Sequence, residues 1–93
     1  MIASLKGKWA SAIAEGRTPR GFPSTLIRAT QRKLYILEHA QSLDDLRSPP
    51  GNRLEALKGD RAGQHSVRIN DQFRVCFRWV DGDAYDVEIT DYH

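Results

Sequence analysis

The sequence has little cysteine and no long apolar run. Cys76 is the single cysteine among 93 residues, which excludes an intramolecular disulfide, and no Cys/His spacing predicts a zinc site. No apolar stretch of about 18 residues is present to span a bilayer, and the N-terminus lacks the apolar core of a signal peptide. We therefore expect a protein of the reducing cytoplasm, without membrane contact, metal or cofactor.

Common enzyme motifs are also missing. The chain contains no Walker loop, no GxGxxG and no serine or cysteine triad pattern, so nucleotide binding and nucleophilic hydrolysis of those kinds have no support. The net charge is only +2, which is a weak indication of polyanion binding and no more. Acidic residues fall in clusters with basic patches between them. This distribution permits a local phosphate-binding surface on a nearly neutral protein.

The hydrophobic pattern predicts one domain, residues 1–93, in which two helices precede the strands. Trp9 and Ile13 lie on one side of a helix of about ten residues that Gly16 ends. Ser24 is predicted to cap a second, longer helix, and Ser42 with Asp45 predicts a capping box after it. Residues 2–5 fit either a short edge strand or the entry to the first helix.

From residue 53 onward the hydrophobic period changes from helical to alternating. Alternation over residues 54–57, 65–69, 73–79 and 85–89 predicts half-buried antiparallel strands. Two N-terminal helices would then pack on the apolar face of a three- to four-stranded antiparallel sheet. The predicted fold class is α+β.

Loop lengths set the predicted register of this sheet. A three-residue loop at 70–72 places Arg68 opposite Arg74. A three-residue loop at 80–82 is preferred to a two-residue turn at 81–82, because the shorter turn would mix the two faces. The longer loop pairs Phe77 with Tyr85 and Val75 with Val87, and it places Glu88 opposite Arg74.

The polar face of the predicted sheet collects charged side chains. Two facing arginines favour an anion between them. That anion is either a protein carboxylate such as Glu88, giving a salt-bridged surface, or a bound phosphate. The predicted residues of this face are Arg68, Arg74, Arg78, Asp86, Glu88 and Tyr92.

The chain end adds titratable groups to this face. Cleavage of RNA without a metal needs a base for the 2′-hydroxyl, cations for the phosphate and an acid for the leaving oxygen. Asp91, Tyr92 and His93 are candidate acid–base groups, and Lys58 and Arg74 are candidate cations. A tyrosine base would need nearby positive charge to lower its pKa from about 10. The alternative for His93 is a terminal surface residue without chemistry.

Two motifs give the sequence a family resemblance. Residues 57–61 read Leu-Lys-Gly-Asp-Arg and the chain ends Asp-Tyr-His. With residues 66–75 and 82–85, these motifs resemble the HigB-like toxins of the RelE/ParE superfamily, over essentially the whole chain. The resemblance implies a bacterial type II toxin that cleaves mRNA in the ribosomal decoding site without a metal. It also implies neutralisation by a helix-turn-helix antitoxin of the HigA type. The toxin would contact operator DNA only through this antitoxin.

The resemblance also implies roles for particular residues. Lys58 and Arg74 would bind the scissile phosphate, and residues 91–93 would form the acid–base end of the site. Glu55 stands where some family members have a histidine, which removes a proton donor and adds negative charge near the RNA. His65 is expected on the apolar side and is no substitute. Further RNA-binding arginines are predicted at Arg53, Arg61, Arg68 and Arg78.

Two other functions remain open at this point. A ParE-like inhibitor of DNA gyrase would share the fold and lack the nuclease site. A catalytically weakened toxin would act mainly by binding antitoxin and supporting operon repression, and the missing histidine keeps this alternative open.

Overall fold

Two helices cover one face of an antiparallel sheet in the computed structural model, which describes residues 1–92. The helices are α1 (Lys8–Ala14) and α2 (Ile27–His39). Four strands pair in the order β1-β2-β3-β4, each antiparallel to the next. They are β1 (Glu55–Ala56), β2 (His65–Arg68), β3 (Phe73–Val80) and β4 (Asp83–Asp91). Short 3₁₀ turns lie at Ser24–Leu26, Leu43–Arg47, Pro50–Asn52 and Gly59–Arg61. The α+β prediction is confirmed.

The core lies between the helices and the apolar face of the sheet. It is built from small and branched side chains of α1 and α2 packed on alternate residues of the strands, as the sequence periods predict. Both predicted helices are present, but α1 has 7 residues and is shorter than the predicted helix of about ten. The buried residues that form it include Ala10, Ile13, Leu34, Leu37, Val67, Val75, Phe77 and Val87.

The start of α2 differs from the prediction. Within residues 1–92, the Ser24 side chain caps no helical N–H, because Ser24 begins a 3₁₀ turn and α2 starts only at Ile27. The Leu26 carbonyl instead accepts a hydrogen bond of 2.8 Å from the buried hydroxyl of Thr30. The capping box of Ser42 and Asp45 is confirmed: the Ser42 side chain accepts from the Asp45 N–H, and the Asp45 carboxylate accepts from the Ser42 N–H.

The first residues pair with the edge of β4 through two isolated bridges, which favours the edge-strand alternative over a helix entry. Ile2 and Leu5 make parallel bridges to Ala84 and Val87 of β4. The Ala3 N–H donates to the Ala84 carbonyl at 2.7 Å. This pairing covers an edge of the sheet that would otherwise present unpaired backbone groups.

The β2–β3 connection has the predicted register. Val67 faces Val75 and Arg68 faces Arg74. The side-chain oxygen of Asn70 accepts hydrogen bonds from the N–H groups of Gln72 and Phe73, at 2.9 and 2.7 Å. This local side-chain turn holds the three-residue loop and so fixes the two arginines opposite each other.

The β3–β4 connection contradicts the predicted register. It is the two-residue turn, with Val80 facing Asp83 and with positive φ at Asp81 (51°) and Gly82 (85°), as type I′ hairpins require. Arg78 therefore faces Tyr85. The predicted partners of Phe77 and Val75 were wrong.

A bulge in β4 explains why the short turn is possible. Without the bulge, the two-residue turn would place apolar and polar side chains on the same face of the sheet. Asp86 and Val87 together oppose the single residue Phe77, and Asp86 has φ of 52°. One extra left-handed residue restores the alternation beyond it. Val75 then faces Ile89, and Arg74 faces Thr90. The sequence predicted Glu88 opposite Arg74, which was wrong, because Glu88 faces Cys76.

The bulge gives a test by mutation. We expect Asp86→Gly to change the free energy of unfolding by less than about 1 kcal/mol, since glycine adopts a positive φ freely and the exposed ion pair that is lost contributes little. Asp86→Val should cost about 1–3 kcal/mol, because a branched side chain is strained there. Urea denaturation of both variants checks the difference. Equal stabilities would contradict a left-handed residue at the bulge.

Candidate active site

A polar cavity of about 420 Å³ opens on the sheet face opposite the helices. It lies where β1, the β2–β3 turn and the end of β4 come together. Three arginines and two carboxylates line it, which leaves an excess of one positive charge. The lining residues are Arg53, Glu55, Arg68, Asn70, Asp71, Arg74 and Tyr92.

Arg74 is the most firmly held cation of the cavity. Its side chain is largely buried, and Nε donates to the hydroxyl oxygen of Ser66 at 2.6 Å. Nη2 donates to the main-chain carbonyl of Arg53 at 2.5 Å. Nη1 lies 3.9 Å from Oε1 of Glu55. The guanidinium is thus oriented before any ligand binds, which is the condition for effective electrostatic stabilisation of a reacting group.

Positive charge extends beyond Arg74. Arg68, directly across from it, is ion-paired to Asp71 in the adjacent turn. Lys33 of α2 donates to the Asn52 side-chain oxygen at 2.6 Å. Burial, with further effects from the nearby charges of Arg32 and Arg68, lowers the pKa of Lys33. A cluster of like charges of this kind favours a bound anion.

Tyr92 brings a phenol to the cavity. Its backbone N–H donates to the Gln72 carbonyl at 2.6 Å, and its hydroxyl lies 3.8 Å from the Cys76 sulfur. Its pKa is raised from 10.0, first by burial and then by Cys76, although Arg61 and Arg74 oppose the shift. The nearby arginines therefore do not convert Tyr92 into a base for neutral pH. The phenol stays protonated and can donate a proton.

The raised pKa of Tyr92 predicts a change in stability at high pH. A raised folded-state pKa contributes stability that is fully present below the unfolded value of 10.0 and is lost as pH rises through the folded value. Wild type should therefore lose stability relative to Tyr92→Phe above about pH 10. Denaturant midpoints of the two proteins across this range measure the effect. A difference independent of pH would contradict the shift.

The other predicted site residues lie outside the cavity lining. Arg61 donates to the Glu88 carboxylate at 3.1 Å, and Arg78 donates to Asp86 at 3.0 Å and lies over the Tyr85 ring. Lys58 is exposed at the start of the Gly59–Arg61 turn and, in the part of the chain that the structure describes, does not line the cavity.

The chain end is only partly described. Asp91 faces Phe73 across the strands and accepts a hydrogen bond from the Gln72 side chain at 3.3 Å. His93 lies outside the described residues, so its predicted role stays a prediction. His65 pairs with Phe77, with the two ring centroids 6.4 Å apart, on the apolar side as predicted.

The structure thus brings together four of the predicted residues: Arg53, Arg68, Arg74 and Tyr92. It adds Glu55 as the carboxylate beside Arg74. Sequence reasoning missed Ser66 as a partner of Arg74, although its position two residues before Arg68 places it on the same face of β2.

Comparison with known proteins identifies the family. A family model described as the RelE-like toxin HigB of type II toxin–antitoxin systems matches residues 4–93. The chain belongs to the HigB-like toxin family. The resemblance of the Leu-Lys-Gly-Asp-Arg and Asp-Tyr-His motifs is therefore confirmed, and an antitoxin is the partner of this HigB-like toxin.

Curated relatives agree with the family. The chain is 46% identical over 85 residues to Toxin HigB-1 of Vibrio cholerae serotype O1, an alignment that covers 90% of each protein. It is 30% identical over 93 residues to Endoribonuclease HigB of Proteus vulgaris, an alignment that covers 100% of each. The second alignment therefore includes all the strands that form the cavity.

Solved structures share the fold of this HigB-like toxin. A crystal structure of a YafQ mutant from E. coli superposes with a TM-score of 0.64 over 98% of this chain and 93% of YafQ, at 11% identity. A YoeB–YefM complex from Staphylococcus aureus gives 0.62 over 100% of this chain and 98% of its match, at 15% identity. These likenesses confirm the RelE-like fold. Among residues 1–92, no helix is long and apolar enough to cross a membrane.

Proposed function

We propose that this HigB-like toxin is a single-domain, cytoplasmic, ribosome-dependent endoribonuclease that cleaves mRNA through the RNA 2′-hydroxyl without a metal. The observation that carries the proposal is the cationic cavity, in which Arg74 is fixed by Ser66 and Arg53 beside Glu55 and Tyr92. The name of the Proteus vulgaris relative, an endoribonuclease, supports the same activity.

Arginines would bind the scissile phosphate. Arg74 donates from Nη1, since Nε and Nη2 already bond to protein oxygens. Arg68 and Arg53 add charge from the cavity wall, and Lys58 adds a further cation when RNA is bound. These cations stabilise the extra negative charge that the phosphate gains in the transition state.

Glu55 would act as the base and Tyr92 as the acid. The Glu55 carboxylate takes the proton of the 2′-hydroxyl, and the 2′-oxygen attacks the phosphorus. The bond to the 5′-oxygen breaks, and that oxygen receives a proton from the Tyr92 phenol. The products are a 2′,3′-cyclic phosphate and a 5′-hydroxyl. Asp91 and His93 remain proposed members of this acid–base end.

A helix-turn-helix antitoxin of the HigA type would neutralise the toxin and carry it to operator DNA. The family description, which is that of a toxin–antitoxin system, supports a dedicated protein partner. Co-expression with the neighbouring open reading frame, if it encodes such a protein, should yield a stable complex.

Growth assays test the proposed activity. Expression of the toxin alone in bacteria should arrest growth with loss of intact mRNA, and alanine at Lys58, Arg74, Tyr92 or His93 should relieve the arrest. Arrest that survives all four changes contradicts the nuclease site. Intact mRNA with accumulated cleaved DNA would instead support a ParE-like gyrase inhibitor, and harmless expression would support a weakened toxin.

A further inference from the structure

A buried amide lies behind the cavity, at the start of the segment that holds Arg74. Asn52 is fully buried. Its side-chain nitrogen donates to the carbonyls of Leu46 and Ser48, both at 3.1 Å, and its oxygen accepts from Lys33 at 2.6 Å. Both the nitrogen and the oxygen of the amide are therefore engaged, and Asn52 fixes the fold of the segment that precedes β1.

The residue that follows Asn52 has a left-handed backbone. Arg53 has φ of 45°, and its N–H donates to the Pro50 carbonyl at 3.2 Å. This conformation is costly for a residue with a side chain and persists only where surrounding contacts impose it. It sets the direction of the Arg53 carbonyl, which accepts from Nη2 of Arg74 at 2.5 Å.

We propose that Asn52 is a positioning residue of the active site, which acts on Arg74 through the Arg53 carbonyl. The inference rests on the proposed function, because the orientation of the Arg74 guanidinium matters for catalysis only if Arg74 binds the scissile phosphate. It concerns a residue that does not line the cavity. Its effect on catalysis is therefore indirect, through the geometry of a single guanidinium.

Glu55 is the reason that the carbonyl anchor is needed. The Glu55 carboxylate lies 3.9 Å from Nη1 of Arg74 and competes with a phosphate for the same donors. With both Ser66 and the Arg53 carbonyl in place, the guanidinium is held short of a direct hydrogen bond to Glu55. Loss of the carbonyl anchor would let Arg74 turn towards Glu55, where the pair would neutralise both the cation and the base.

Two substitutions of Asn52 test this inference. Asn52→Ala removes all three contacts. Asn52→Asp keeps the size and still accepts from Lys33, but it cannot donate to Leu46 and Ser48, and it serves if the alanine variant does not fold. Ser42→Ala is the matched control, because it breaks the capping box of the preceding 3₁₀ turn and leaves the Asn52 side chain with its own donors and acceptor.

The readouts are the melting temperature, the NMR signal of the Arg74 Nε–Hε group, and mRNA cleavage on ribosomes. We expect Asn52→Asp to shift or broaden the Arg74 signal and to lower kcat/KM by about 10- to 100-fold, the loss typical of small misplacements in active sites. Ser42→Ala should leave the Arg74 signal in place even where it lowers the melting temperature.

Two results would overturn the inference: an unchanged Arg74 signal in a folded Asn52 variant, or an equal shift of that signal in Ser42→Ala. The NMR signal does not depend on RNA cleavage. Failure of the wild-type protein to cleave mRNA would therefore contradict the proposed function alone. The NMR signal of the Arg74 Nε–Hε group would still test whether Asn52 positions Arg74.

Discussion

Arg74→Lys is expected to slow mRNA cleavage by at least about 100-fold although it keeps the positive charge. An ammonium group has three donors on one nitrogen, which cannot occupy the separate positions of Nε and Nη2. It therefore cannot keep the bonds to the Ser66 hydroxyl and the Arg53 carbonyl in their geometry and also place a donor where Nη1 lies. In the wild type these two bonds are 2.6 and 2.5 Å long. Single-turnover cleavage on programmed ribosomes measures the effect.

The control for this prediction is Arg47→Lys. Arg47 is exposed and pairs with Asp44 at 2.9 Å on the surface of the Leu43–Arg47 turn, so the same chemical change there should leave cleavage at the wild-type rate. If Arg74→Lys cleaves as fast as the wild type, charge alone is sufficient and the fixed geometry of Arg74 has no catalytic role.

Glu55→Gln is expected to lower the cleavage rate by about 100- to 10,000-fold, the range for removal of a general base. Glutamine keeps the shape of the side chain beside Arg74 and cannot accept the 2′-hydroxyl proton. Binding of mRNA-programmed ribosomes should be retained or slightly improved, because a negative charge leaves the cavity. Steady-state kinetics measure the effect: kcat should fall, while KM should stay the same or decrease slightly.

Glu55→His gives a second test at the same position. An imidazole titrates near pH 6.5, so this variant should regain part of the activity with a pH dependence that follows the imidazole. Glu15→Gln, at an exposed carboxylate paired with Arg17, serves as the control. Wild-type rates in Glu55→Gln would exclude Glu55 as the base and return that role to Asp91 or His93.

Most of the fold could be predicted because the spacing of hydrophobic residues differs between helices and strands. The β2–β3 loop was predicted correctly since no irregularity lies between Val67 and Val75. The β3–β4 register was not, because strict alternation has no place for a bulge. The bulge at Asp86 is held by a hydrogen bond of 2.8 Å from its N–H to the hydroxyl of Ser4, a residue 82 positions away, and no local pattern reports that contact.

The same reasoning explains which parts of the site were predictable. Arg68 and Arg74 were placed together because the three-residue loop between β2 and β3 was predicted correctly. The anchor of Arg74 is a main-chain carbonyl, which has no signature in the sequence. Glu88 was assigned to Arg74 through the wrong register, and it binds Arg61 instead.

The central claim is that the cavity around Arg74 cleaves mRNA on the ribosome by attack of a 2′-hydroxyl. The most direct measurement incubates the purified toxin with ribosomes that hold a defined mRNA codon in the A site, and with the same mRNA carrying a 2′-deoxy nucleotide at the cleaved position. We predict cleavage within the codon, a 2′,3′-cyclic phosphate end, no cleavage without ribosomes and none of the deoxy mRNA. Intact mRNA on the ribosome, or cleavage of the deoxy mRNA, would contradict the claim.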